Sequence, residues 1–189
     1  KYMAASLSHL IVTQRDMAGL GIFDSELRQY IEPSSRLSII RDIAIELEKV
    51  DGEPRTNIAT LLHEFAERIK RRGFVILISD LLDNVDDFIK GLNHLQFHGH
   101  NVIVFHTLDP YELTFPFSGT CRFKGLEMEE ELVTRPKRVR DTYMEELGLY
   151  LKKIRDACRR SKVDYLLVDT SRPLEEVLTA YLMKRTQSI

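Results

Sequence analysis

Carboxylates and hydroxyls recur just after the segments of this sequence that read as strands: Asp24 with Ser25, Asp80 with Asp83, His106 with Asp109, and Asp169 with Thr170. Thr56, just ahead of a helical segment, can reach the same edge. Side-chain oxygens gathered at one strand edge could bind a ligand there. Asp80, Asp83 and His106 together could instead serve a metal-assisted hydrolysis, given a further carboxylate upstream and a water nucleophile. Each residue also has a plainer use. Thr56 can cap the helix that follows it, Asp83 or Asn84 can cap the next one, and Asp80 can be a solvated strand end.

Other chemistries lack their residues. Neither GxxxxGK[ST] nor GxGxxG follows a strand, and Gly19 and Gly21 lie inside or before one. There is no GxSxG elbow and no Cys-His arrangement. His98-Gly99-His100 reads as a turn, and His9 and His63 sit on helical segments without a second ligand at zinc spacing.

The elements that would position these residues follow from periodicity. Helical spacing over about 2–15 leads into a short strand at 17–23 and a hairpin partner at 27–31. Helices are expected over about 36–50 and 57–72, separated by Asp51-Gly52-Glu53-Pro54. Phe74 to Ile78 is an unbroken, largely β-branched run ending at Ser79-Asp80, which reads as a strand buried on both faces. A helix over 85–96, another buried strand over 101–105, a Pro-, Phe- and Thr-rich loop over 107–120 and a small hairpin near 120–134 follow. A long helix over 137–161, a strand over 165–168 and a helix over 173–185 complete the pass. This alternation predicts an α/β, Rossmann-like, doubly wound and mostly parallel sheet. Ligands of such sheets bind beyond the carboxyl ends of the strands.

The 189 residues are 43% hydrophobic and 30% charged, enough for a sizeable core. A net charge of -2 gives no global basic field to favour nucleic acid or an anionic membrane. Basic groups such as Lys70-Arg71-Arg72 are flanked by acids on helical patterns. Two distant cysteines, Cys121 and Cys158, form neither a disulfide framework nor a zinc spacing, so a reducing, cytoplasmic setting is expected. No apolar run approaches the roughly 20 residues that span a bilayer. Lys1 is not an initiator Met, and the chain reads as beginning inside its first helix.

Gly52-Glu53-Pro54-Arg55-Thr56-Asn57-Ile58 opening a helix, followed by Val75-Ile76-Leu77-Ile78-Ser79-Asp80, resembles the von Willebrand factor A fold. More narrowly, it is similar to the uncharacterised bacterial family of such domains associated with MoxR-type AAA+ ATPases. Gly19-Leu20-Gly21-Ile22-Phe23-Asp24, Leu108-Asp109-Pro110-Tyr111-Glu112-Leu113, Val163 to Thr170, Pro173-Leu174-Glu175-Glu176 and Ala180-Tyr181-Leu182 extend the resemblance along nearly the whole chain. It implies a metal-ion-dependent adhesion site in which Thr56 and Asp80 ligate Mg²⁺. Asp24, Ser25, Asp83, His106 and Asp109 are candidates for lining that site. The Asp-x-Ser-x-Ser loop of such sites does not occur in this sequence and is expected upstream of Lys1, on a central strand between those at 18–23 and 74–79. A single domain over 1–189, N-terminally incomplete, is therefore expected. The function implied is a non-catalytic protein–protein interaction module that binds a partner carboxylate through Mg²⁺, with a MoxR-type AAA+ ATPase as context. The alternatives are the metal-assisted hydrolase and a metal-free scaffold.

Overall fold

The computed structural model describes residues 1–24, 26–50, 58–82, 84–124 and 131–186. The chain folds as two compact units, Lys1–Lys70 and Arg71–Ile189.

In the first unit, helix α1 (Tyr2–Thr13) precedes strands β1 (Ala18–Phe23) and β2 (Leu27–Ser34), and helices α2 (Ser38–Lys49) and α3 (Ile58–Arg68) follow. β1 and β2 pair antiparallel, with Gly21 opposite Tyr30. Val12, Ala18, Ile39, Ile43 and Leu47 form the buried cluster that joins α1 and α2 to the hairpin. On α2 these residues recur every four positions, one stripe of a 3.6-residue period. At Gly21 the missing side chain has a use: a Cβ there would lie 2.5 Å from the Phe65 ring of α3. Without it, Phe65 comes close to β1 and meets Tyr30 edge-on, with ring centroids 5.9 Å apart.

The second unit holds β3 (Phe74–Ser79), α4 (Val85–Phe97), β4 (Asn101–Leu108), α5 (Pro110–Thr114), β5 (Cys121–Lys124), β6 (Glu131–Thr134), α6 (Arg140–Arg160), β7 (Asp164–Asp169) and α7 (Leu174–Thr186). β3, β4 and β7 form a parallel sheet in that order. Strands added always on the same side require successive right-handed crossovers on one face. The side-chain pairings agree. α4 and α6 meet through Lys153–Asp86 at 3.1 Å and Ser161 donating to Asn93 at 3.0 Å. Neighbouring residues of a strand face opposite ways. His106 meets Tyr150 of α6, whereas Phe105 meets Tyr181 of α7 at 5.5 Å, so α6 and α7 cover opposite faces. This is the expected α/β, Rossmann-like architecture.

Three local expectations are corrected. Of the two strands expected to be buried, β4 is so, with Val102 to His106 all buried, because it is the middle strand of the three. On β3 only Val75 and Leu77 are buried, and Ile76 and Ile78 are intermediate. β4 also runs on to Leu108, so His106 lies within the strand and not after it. Finally, the expected loop over 107–120 contains α5. There Asp109 accepts from the backbone N–H of Tyr111 at 2.8 Å, and Glu112 reaches back to the Asp109 N–H at 2.8 Å, a capping box with Pro110 in the first turn.

Phe115 ends α5 in the left-handed region at φ 45°. Its ring packs with Phe117 at 5.1 Å, Phe123 at 5.9 Å and Tyr143 at 4.7 Å. This aromatic cluster ties the β5–β6 hairpin to the start of α6. No helix among the described residues is long and apolar enough to cross a membrane.

Candidate functional site

The carboxyl ends of the parallel strands present Asp80 after β3, Asp109 after β4 and Asp169 at the end of β7. All three accept from the backbone N–H two residues on. Asp109 holds the α5 capping box. Asp169 accepts from the Ser171 N–H at 2.9 Å and from its hydroxyl at 2.6 Å, and those bonds hold its carboxyl below the usual carboxylate range. Thr170 closes the adjoining edge by donating its N–H to the Leu108 carbonyl at 3.0 Å.

Asp80 is exposed, as Asp109 is, and lies on a loop whose backbone is fastened from beneath. Its Oδ1 accepts from the Leu82 N–H at 3.3 Å, and the Ser79 hydroxyl oxygen accepts from the Leu81 N–H at 3.1 Å. The Asp80 carbonyl points inward and meets His106 Nε2 at 2.7 Å. A carbonyl can only accept, so Nε2 carries the proton. Nδ1 then accepts from the Tyr165 hydroxyl at 2.9 Å. His106 is fully buried, and burial holds its pKa below the ordinary value against the opposing pull of the Asp80 carbonyl. Burial likewise pushes the Tyr165 phenol up to about 12, so it remains a donor at neutral pH. Tyr150 of α6 donates its hydroxyl to the next carbonyl, that of Leu81. Asn84 completes the loop by accepting from the N–H groups of Asp86 and Asp87, capping α4.

Asp24 belongs to the first unit. It follows β1, pairs with Arg28 and accepts from the Glu26 N–H at 3.3 Å, so its carboxylate shapes the β1–β2 turn. Thr56, Ser25 and Asp83 lie outside the described residues. For Mg²⁺ the donor chemistry at Asp80 fits in kind: an exposed carboxylate follows the Ser79 hydroxyl, while the two neighbouring carbonyls are turned inward. A residue that sequence reasoning misses is Tyr150, whose role depends on a bond spanning 69 positions and has no local signal.

Two solved structures are similar to this chain in fold. One is a conserved hypothetical protein, BatB from Bacteroides thetaiotaomicron, at 14% identity and TM-score 0.55, covering 98% of this chain and 88% of that one. The other is an aerotolerance-related membrane protein from Bacteroides fragilis, also at 14% identity, with TM-score 0.56, covering 96% and 88%. At that identity the likeness shows the fold alone. No curated protein matches the chain. The family model described as protein of unknown function DUF58 matches residues 1–148, and the chain belongs to that family.

Proposed function

We propose that this chain is a protein-binding module of the von Willebrand factor A type, which docks a partner's carboxylate at the carboxyl-end face of its parallel sheet. The single observation carrying this reading is Asp80, an exposed hard-oxygen donor on a loop held from within the sheet. Asp80 would contribute a ligand to a Mg²⁺ ion, of which another position takes the partner's carboxylate. We further propose a MoxR-type AAA+ ATPase system as the partner class and the cytoplasm as the setting; the free cysteines Cys121 and Cys158 are compatible with a reducing compartment.

Buried His106 favours binding over metal-assisted hydrolysis. Both of its ring nitrogens are engaged, so it has no hydrogen-bonding capacity left for a water or a substrate. The test is calorimetric titration of Mn²⁺ and Mg²⁺ into the full-length protein and its Asp80→Ala variant. Binding that is lost in the variant, together with metal-dependent capture of acidic peptides, is the expected outcome. Turnover of a phosphoester or peptide with Mn²⁺ would replace the binding reading with the hydrolase. Absence of metal binding in both proteins would leave a metal-free scaffold.

A further inference from the structure

Leu81 adopts φ 54°, a left-handed conformation that a branched side chain takes only when its surroundings hold it there. Burial of its side chain and two hydrogen bonds do so. The Leu81 side chain is itself 3% exposed. His106 donates from β4 to the Asp80 carbonyl, and Tyr150 donates from α6 to the Leu81 carbonyl. Two consecutive carbonyls of one loop are thus gripped by side chains from two different elements. The His106 ring meets the Tyr150 ring edge-on at 6.1 Å and the Tyr165 ring at 5.9 Å. The Asp80 carbonyl fixes the His106 tautomer with the proton on Nε2, and Tyr165 satisfies the bare Nδ1 by donating its hydroxyl.

A backbone turned inward at Asp80 and Leu81 leaves the Asp80 carboxylate facing the other way, toward solvent. We propose that His106 and Tyr150 are positioning residues that lock the Ser79–Leu82 loop and thereby aim Asp80, with Tyr165 engaging the unprotonated Nδ1 of His106. This inference rests on the reading of Asp80 as the binding residue. It assigns to a buried His–Tyr network the task that outer-shell partners perform around metal ligands, which is to hold the ligand's orientation and not to touch the ion.

The experiment compares full-length wild type, Tyr150→Phe, His106→Leu and His106→Gln. It follows hydrogen exchange at the Leu81 and Leu82 amides beside a Mn²⁺ titration. Gln can offer an N–H from the place of Nε2, whereas Leu fills the space without a donor. Faster exchange in Tyr150→Phe and His106→Leu is expected, with Mn²⁺ affinity lowered about 10- to 100-fold and both readouts recovered in His106→Gln. Tyr150→Phe removes only a hydroxyl, so it decides the matter if His106→Leu fails to fold. Unchanged exchange and affinity in Tyr150→Phe overturns the positioning role, and failure of Gln to recover what Leu loses removes His106 from it. If wild type takes up no Mn²⁺, the binding reading of Asp80 falls, while the exchange data still decide whether the loop is locked.

Discussion

Gly21→Ala tests how the first unit is held together. The new Cβ would sit 2.5 Å from the Phe65 ring edge, and ordinary contact begins at 3.4 Å, so the ring must retreat by about 0.9 Å. It has a neighbour to disturb, because the same ring meets Tyr30, the residue directly opposite Gly21. Overpacking of this order costs about 1–3 kcal/mol. Removing glycine from the unfolded chain returns about 0.4–1 kcal/mol, so destabilisation wins. For a chain of this length each kcal/mol lowers the thermal midpoint by about 2–4 °C. Denaturation of wild type, Gly21→Ala, Phe65→Leu and the double variant measures the effect as a cycle. The double variant should be more stable than the summed single effects by about 1 kcal/mol, since Leu leaves room for the methyl group. Strict additivity, or a Gly21→Ala protein as stable as wild type, would refute the account of Phe65 over Gly21.

Burial lowers the pKa of both His100 and His106, so the folded state resists a proton that the unfolded chain accepts below the ordinary value of 6.5. Their contribution is fully present above that value and is lost as pH falls beneath it; urea midpoints should therefore drop between pH 7.5 and 5.5. Both ring nitrogens of His100 lack a hydrogen-bond partner among the described residues, so His100→Leu should be no less stable at neutral pH and should show a shallower drop. Burial pushes the Cys158 thiol up to about 12, whereas Cys121 is partly exposed. Labelling by a thiol reagent at pH 7.5 should therefore stop at Cys121 in the native protein and reach Cys158 only with unfolding.

The alternation of strands and helices was legible because each apolar run ended in a turn or charged residue, as at Ser79-Asp80 and His98-Gly99. Burial was less so. Phe74 to Ile78 reads as a strand buried on both faces, yet strand order, which no local pattern encodes, puts β4 and not β3 in the middle of the three. His106 reads as a loop residue since an imidazole interrupts an apolar run. It is tolerated inside β4 because Tyr165, 59 positions away, and the Asp80 carbonyl satisfy both nitrogens. α5 carried a readable signal in Asp109-Pro110-Tyr111-Glu112, a capping box hidden by the loop-like composition around it. At the candidate site, the position of Asp80 followed from the strand that ends before it. The clamp from Tyr150 did not, since a partner from α6 is visible only once the chain is folded.

The connection between β4 and β7 carries α5, the β5–β6 hairpin and α6, whereas β3 and β4 are joined by α4 alone. Closing a longer loop adds little entropy, about 0.6 kcal/mol per doubling of length. The hairpin, moreover, is anchored through the rings of Phe115, Phe117, Phe123 and Tyr143, outside the strand pairing of the parallel sheet. Lengthening or shortening the hairpin is therefore expected to leave the pairing of β3, β4 and β7 as it is.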